Sequence, residues 1–230
     1  LRPLTLDTPK VLLHVGGRPL IHRTLEALYS VGIDEVAVVV GHKAARVVPA
    51  LMQECWDVHL EYIENHDWRG GNALSLSVAR DFVMGGPFIM CMGDHLVSPE
   101  MLATVVAAED QANVLCVDSQ AWHPCQLDEP TRVLVGPEGL IAGIGKELAV
   151  WNAVDTGVFK LDGDVFEAID HLKLKQGIDV EMSDVVRLFG HRSRPFGTCD
   201  ILGSFWADID TLEDYQSVDR LMGEWAASVA

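Results

Sequence analysis

The sequence predicts an α/β fold, a mostly parallel sheet flanked by helices, with a small β-rich part in its C-terminal half. Two observations carry this. Over the first hundred residues, short apolar runs alternate with segments whose apolar residues recur at helical spacing, which argues for a parallel sheet wrapped by helices. From Asn113 onward the pattern changes to strands flanking tight turns, as in a hairpin.

Element by element, Gly16-Gly17-Arg18-Pro19 reads as a turn, followed by a helix carrying Leu20, Ile21, Leu25 and Leu28 and ended by Gly32. Val36 to Val40 is an unbroken β-branched and apolar run, expected of a strand buried on both faces. A helix over 44–55, a strand over 58–63 and a helix with Leu74, Val78 and Phe82 on one face follow. The strand 88–92 leads to Gly93-Asp94-His95, and Ser98-Pro99 is an N-cap with a first-turn proline for a helix turning Leu102, Val105 and Val106 inward. The region 122–130 reads as irregular, 131–135 and 140–144 as a hairpin around Gly136-Pro137-Glu138-Gly139, and 154–161 as a strand. Helices near 164–172 and 183–189 precede strands near 199–206. A last helix, capped at Thr211, presents Tyr215, Val218, Met222 and Trp225 inward.

The chain has 230 residues and 49% hydrophobic content, enough for one sizeable core and one domain. Its net charge, 17 − 34 = −17, argues against a nucleic-acid groove, which requires excess Lys and Arg. A small polyanionic substrate needs only a local cluster of cations and a metal. Cys55, Cys91, Cys116, Cys125 and Cys199 form no metal or disulfide framework, so they read as reduced thiols and the chain as cytoplasmic. No apolar run reaches the length of a membrane span.

Asp94 follows an apolar strand and a glycine, so its carboxylate emerges at the carboxyl end of the sheet, where open α/β sheets bind ligands. Alone, it equally reads as an acid that begins a loop. Asp208, in Phe205-Trp206-Ala207-Asp208-Ile209-Asp210-Thr211, equally reads as a helix-entry acid, with Asp210 a rival capping residue. As a pair from distant parts of the chain, the two carboxylates suit Mg²⁺, which takes one or two protein oxygens and completes its shell with phosphates and water. Gly70-Gly71-Asn72 opens a helix and offers free amides, a weak signal by itself. Lys146 alone reads as a solvated charge, and His123 with Cys125 as surface loop.

The opening Leu-Arg-Pro-Leu-Thr and, three residues on, Pro-Lys-Val-Leu-Leu resemble the N-terminal signature of the sugar-phosphate nucleotidylyltransferases. Further matches are Gly71-Asn72 before Ser75-Leu76, Gly93-Asp94-His95, Ile144 to Leu148, Val154 to Phe159 and Trp206 to Asp214; the His after Gly-Asp is similar to the inositol-1-phosphate cytidylyltransferase branch. The resemblance implies a Rossmann-like nucleotide-diphospho-sugar transferase fold, with a nucleotide-binding part at 1–118 and an acceptor-binding part at 119–230. It implies that Lys10, Asp94 and Asp208 are catalytic, with Asp94 and Asp208 holding Mg²⁺. It implies Arg2, Lys10, Gly71, Asn72 and Asp94 at the nucleotide, and Lys146, Asp155, Thr156 and Gly157 at the acceptor. The implied partners are a nucleoside triphosphate and a phosphorylated polyol or sugar, and the implied reaction is CMP transfer from CTP to inositol 1-phosphate. The rivals are a hexose 1-phosphate or phosphocholine acceptor, and a non-catalytic nucleotide-sensing subunit. The family pattern also places a strand and a glycine-rich loop ahead of Leu1, so the resemblance implies an N-terminally truncated chain of poor stability.

Overall fold

The computed structural model describes residues 1–54, 56–83, 85–108 and 111–229, with 225–229 as backbone only. Cys55 and the Trp225 side chain lie outside the described residues. After 3₁₀ turns at Leu4–Leu6 and Lys10–Leu12, β1 (His14–Val15) and β2 (Arg18–Pro19) form a small hairpin. Helix α1 (Leu20–Ser30) buries Leu20, Ile21, Leu25 and Leu28 as the spacing predicts. Strand β3 (Glu35–Val40), α2 (Ala44–Met52) and β4 (His59–Glu64) make the unit of two parallel strands joined by a helix. Only Val38 and Val40 of β3 are buried, not the whole strand, because β4 is its sole strand neighbour among the described residues.

The predicted single helix after Gly71 is two short ones, α3 (Asn72–Ser77) and α4 (Arg80–Val83); the break at Val78 leaves that residue exposed. Strands β5 (Phe88–Cys91) and β6 (His95–Leu96) then precede α5 (Pro99–Val106), whose N-cap Ser98 accepts a hydrogen bond from the Met101 amide. Met101, Leu102 and Val105 face inward, while Val106 is exposed, one position past the buried stripe. Strand β7 (Val114–Asp118) follows. In place of irregular chain, Pro124–Leu127 forms α6, and His123 and Cys125 are buried rather than on the surface, because the His123 ring caps the helix.

Strands β8 (Arg132–Val135) and β9 (Ile141–Gly145) form the expected hairpin, and β10 (Ala153–Leu161) runs through the middle of the sheet. After α7 (Asp164–Gln176) and α8 (Met182–His191), the strands expected near 199–206 are β11 (Gly197–Asp200) and β12 (Ala207–Asp208). The chain ends in α9 (Leu212–Val229), where Thr211 and Asp214 hydrogen-bond reciprocally as a cap.

The α/β class holds, but the main sheet is mixed rather than mostly parallel. Its order is β11-β7-β10-β8-β9, with β5 also paired to β10. Only β7 and β11 run parallel within it. The reason is the connection: hairpin-length links have no room for a crossover, so β8, β9 and β10 must alternate in direction. Strand β10 meets β7 along one edge and β8 then β5 along the other. Phe159 and Leu161 pack on one side with α7 and α8, and Val154 and Val158 on the other with α5. A third cluster joins Val15, Leu20, Leu96, Ala207, Ile209 and Val218, and so binds both ends of the chain to the site-bearing strands.

Because Ser98 is the only side chain capping α5, Ser98→Ala is expected to cost about 1 kcal/mol. A urea midpoint unchanged from the parent would contradict that account.

Candidate active site

Two residues of antiparallel pairing place the chemistry. Strand β6 pairs with β12 so that His95 lies opposite Asp208 and Leu96 opposite Ala207. Leu96, Ala207 and Ile209 are buried, and alternation along a strand turns Asp208 and Asp210 the other way, to the sheet's rim. Asp94 sits one residue before β6. Lys10 reaches the same point from the second 3₁₀ turn, whose Val11 and Leu12 pack against the cluster of Ile21, Leu25 and Val38.

The Lys10 ammonium lies 3.1 Å from Asp94 Oδ2, 3.6 Å from Asp208 Oδ1 and 2.6 Å from Asp210 Oδ1. On the far side of Asp208, His95 Nε2 is 3.5 Å from Oδ2, and it is 3.9 Å from Asp94 Oδ1. The His95 Nδ1 faces the Thr156 carbonyl at 2.8 Å, a partner only a protonated Nδ1 can satisfy. Burial alone pushes His95 down, but the Asp208 hydrogen bond and the charges of Asp94 and Asp208 overcome it and raise the ring to about 9. Burial likewise pushes Lys10 down, and Asp94, Asp210 and Asp208 reverse this and carry it above its ordinary value. Asp208 is pushed up by burial, yet His95 and Lys10 hold it below the usual carboxylate range.

Asp94, His95 and Asp208 each offer a ligand atom within 4.8 Å of the others. Asp208 Oδ1 is buried and accepts no hydrogen bond. A buried carboxylate oxygen without a donor is costly, and hard oxygen ligands suit Mg²⁺, so the donor set fits a divalent cation bound at Asp94 and Asp208.

The acceptor-side residues are disposed differently from one another. Asp155 accepts from the Gly157 amide at 2.8 Å, yet burial pushes its carboxyl up to about 6. Thr156 is fully buried and donates its hydroxyl to the Cys116 carbonyl at 2.9 Å, so the side chain is part of the core and only its carbonyl serves the site, by orienting His95. Gly157 lies at a bulge in β10 with φ +76°, where an added Cβ would come 2.4 Å from His95 Nδ1. Lys146 is exposed just past β9. Beside it, Arg187 donates to the Ile144 carbonyl at 2.9 Å.

Gly71 and Asn72 dock on the segment before α8 and make no bond to the Lys10 cluster. The Gly71 amide donates to the Ile178 carbonyl at 2.9 Å, so it is not free, and a Cβ there would lie 2.2 Å from the Val180 oxygen. Asn72 Oδ1 accepts from the Met182 amide at 2.7 Å, and the exposed side chain keeps its Nδ2 donors without a partner among the described residues. Arg2 is exposed at the chain start.

Sequence reasoning missed one residue of the cluster. Asp210 reads as a rival cap, but Thr211 and Asp214 make the cap and Asp210 holds Lys10. The usable signal was its spacing of two from Asp208 on extended chain.

Gly157 and Gly177 both have positive φ, +76° and +77°, but only Gly157 has a neighbour in the way of a Cβ. Gly177→Ala should therefore show the backbone cost alone, about 1–3 kcal/mol, and Gly157→Ala a further cost of about 1–3 kcal/mol for the crowding. Equal denaturant midpoints for the two variants would remove the claim that His95 is seated against Gly157.

The sequence profile of the MobA-like NTP transferase domain matches residues 5–142. The chain is 32% identical over 222 residues to the Bifunctional IPC transferase and DIPP synthase of Aquifex aeolicus (strain VF5), covering 96% of this chain and 49% of that protein. It is 31% identical over 218 residues to the protein of the same name from Thermococcus kodakarensis (strain ATCC BAA-918 / JCM 12380 / KOD1), covering 93% and 46%. The chain thus spans about half the length of these curated relatives. The solved structure of the inositol-1-phosphate CTP transferase from T. maritima superposes with a TM-score of 0.85 at 24% identity, over 100% of this chain and 92% of that one, and shares its fold.

Proposed function

The chain belongs to the MobA-like NTP transferase family, and on that premise we propose that it transfers CMP from CTP to inositol 1-phosphate, releasing pyrophosphate and forming CDP-inositol. The observation that carries this reading is the meeting of Lys10, Asp94 and Asp208, from three distant parts of the chain, around a buried carboxylate oxygen that lacks a donor. The relatives at 31–32% identity carry the name IPC transferase. They support the choice of acceptor.

Two functional parts follow from the reading, 1–118 at the nucleotide and 119–230 at the acceptor. Asp94 and Asp208 are the residues that would hold Mg²⁺, which when bound neutralises phosphate charge and orients the triphosphate. Lys10 then faces the phosphates as a positive charge where negative charge grows in the transition state. Arg2 lies at the same end of the chain and suits the outer phosphates. Asn72, with its two free donors, suits the edge of the base, and Gly71 fixes it there by close packing on 178–182.

On the acceptor side, Lys146 and the neighbouring Arg187 guanidinium suit the incoming phosphate, while Asp155 suits its ring hydroxyls. Thr156 and Gly157 act through the backbone: the carbonyl of one orients His95, and the missing side chain of the other leaves it room. The acceptor phosphate is already ionised and attacks the α-phosphorus directly, so no general base is required. Catalysis is then positioning and charge neutralisation.

The test is pyrophosphate release from CTP with and without inositol 1-phosphate and Mg²⁺, beside a panel of other nucleotides, hexose 1-phosphates and phosphocholine. Release should require CTP, the inositol acceptor and the metal together, and Lys10→Met or Asp208→Asn should lower kcat by about 10²-fold or more. Preference for a different acceptor would overturn the substrate assignment, and no release with any pair would overturn the enzymatic reading.

A further inference from the structure

Lys10 occupies the place where a divalent cation would have to act. Its ammonium rests against the two carboxylates that would hold the ion, at 3.1 Å from Asp94 and 3.6 Å from Asp208. Three carboxylates surround this one lysine. Without the ion, Lys10 offsets the acids; with it, two more positive charges enter the same few ångströms. An ion bonded to oxygen at about 2.1 Å and an ammonium in contact with the same carboxylates repel strongly at that range. One of them must move.

Asp210 supplies the place to which the lysine goes. Its carboxylate makes the shortest of the three contacts, 2.6 Å, and lies on the solvent side of the cluster, 70% exposed against 34% for Asp208. Strand alternation fixes this arrangement, because Asp208 and Asp210 face the same way with the buried Ile209 between them. The backbone at Asp210 is held as well, since the next residue begins the α9 cap.

We propose that Lys10 is a built-in competitor for the cation site and that Asp210 is a positioning residue, the anchor that keeps Lys10 at the rim once a divalent cation has taken Asp94 and Asp208. The inference rests on the cation reading above but not on the identity of nucleotide or acceptor. In this arrangement the lysine stabilises the empty site against its own negative charge. It then turns about the Asp210 contact to face the phosphates when the metal arrives.

Binding of Mn²⁺ alone to the full chain, followed by electron paramagnetic resonance or calorimetry, tests this without turnover. Lys10→Met should bind Mn²⁺ at least about tenfold more tightly than the parent, since a contact charge has gone. Asp210→Asn should weaken binding in the parent, because Lys10 then rests only on Asp94 and Asp208, and should have little further effect in Lys10→Met. Such non-additivity is the signature of action through the lysine. Equal weakening by Asp210→Asn in both backgrounds would make Asp210 a direct ligand and overturn its role as anchor. Mn²⁺ binding that Lys10→Met leaves unchanged or weakens would overturn the competition while leaving the cation site standing. No binding by parent or variants would overturn the cation reading together with the inference.

Discussion

The site depends on one short piece of backbone pairing, the two-residue bridge between β6 and β12. Isolated strands this short have little stability of their own. The bridge holds because Leu96, Ala207 and Ile209 are buried with Val15, Leu20 and Val218 in a single cluster. Burial of these apolar residues fixes the register, and a slip by one residue would reverse which side chains face the rim. The hydrophobic cluster therefore determines that His95 and Asp208 face each other and that Asp210 lies beside them. The electrostatics is a consequence of apolar packing some residues away.

The same cluster explains how a residue at position 10 can work with residues at 94 and 208. The N-terminal segment is tied to the C-terminal helix by two bonds: Tyr215 donates to the His14 carbonyl at 2.9 Å, and the Gly16 amide donates to Asp219 at 2.7 Å. These contacts restrain the backbone that follows Lys10, so that holding its long side chain costs chiefly the side chain's own rotational freedom. With both ends of the chain packed into one cluster, the backbone's share of the entropy cost is met by contacts made for stability.

Much of this was legible in the sequence because it rests on local chemistry. Alternating apolar runs located most strands, Ser98-Pro99 marked the start of α5, and Gly-Asp-His after an apolar strand located the carboxylate edge. What was not legible depends on long-range pairing. The antiparallel course of β10 between β7, β8 and β5 follows from how hairpins stack, which no local period records. The same holds for the buried hydroxyl of Thr156, which a linear motif presents as available and the sheet turns inward to Cys116. His123 reads as a polar loop residue, yet its ring caps a four-residue helix. Pattern reveals which residues are apolar or charged; it does not reveal which polar groups find partners far along the chain.

A second layer behind the acids shows how such partners set the site's precision. Asp118 is buried and accepts from the Gln120 and Gly203 amides at 2.9 Å each and from the Trp206 indole at 3.0 Å. Gln126 holds the Trp206 carbonyl from α6 at 2.9 Å. Trp206 in turn stacks on His95, with ring centroids 5.9 Å apart, while Thr156 holds the opposite side of that imidazole. The imidazole that touches Asp208 is thus fixed by neighbours on both its sides. A buried polar network of this kind is stabilising only when its members are satisfied. Here the members away from the acids are paired, and the atom left without a hydrogen bond is Asp208 Oδ1, which faces the Lys10 ammonium at 3.6 Å.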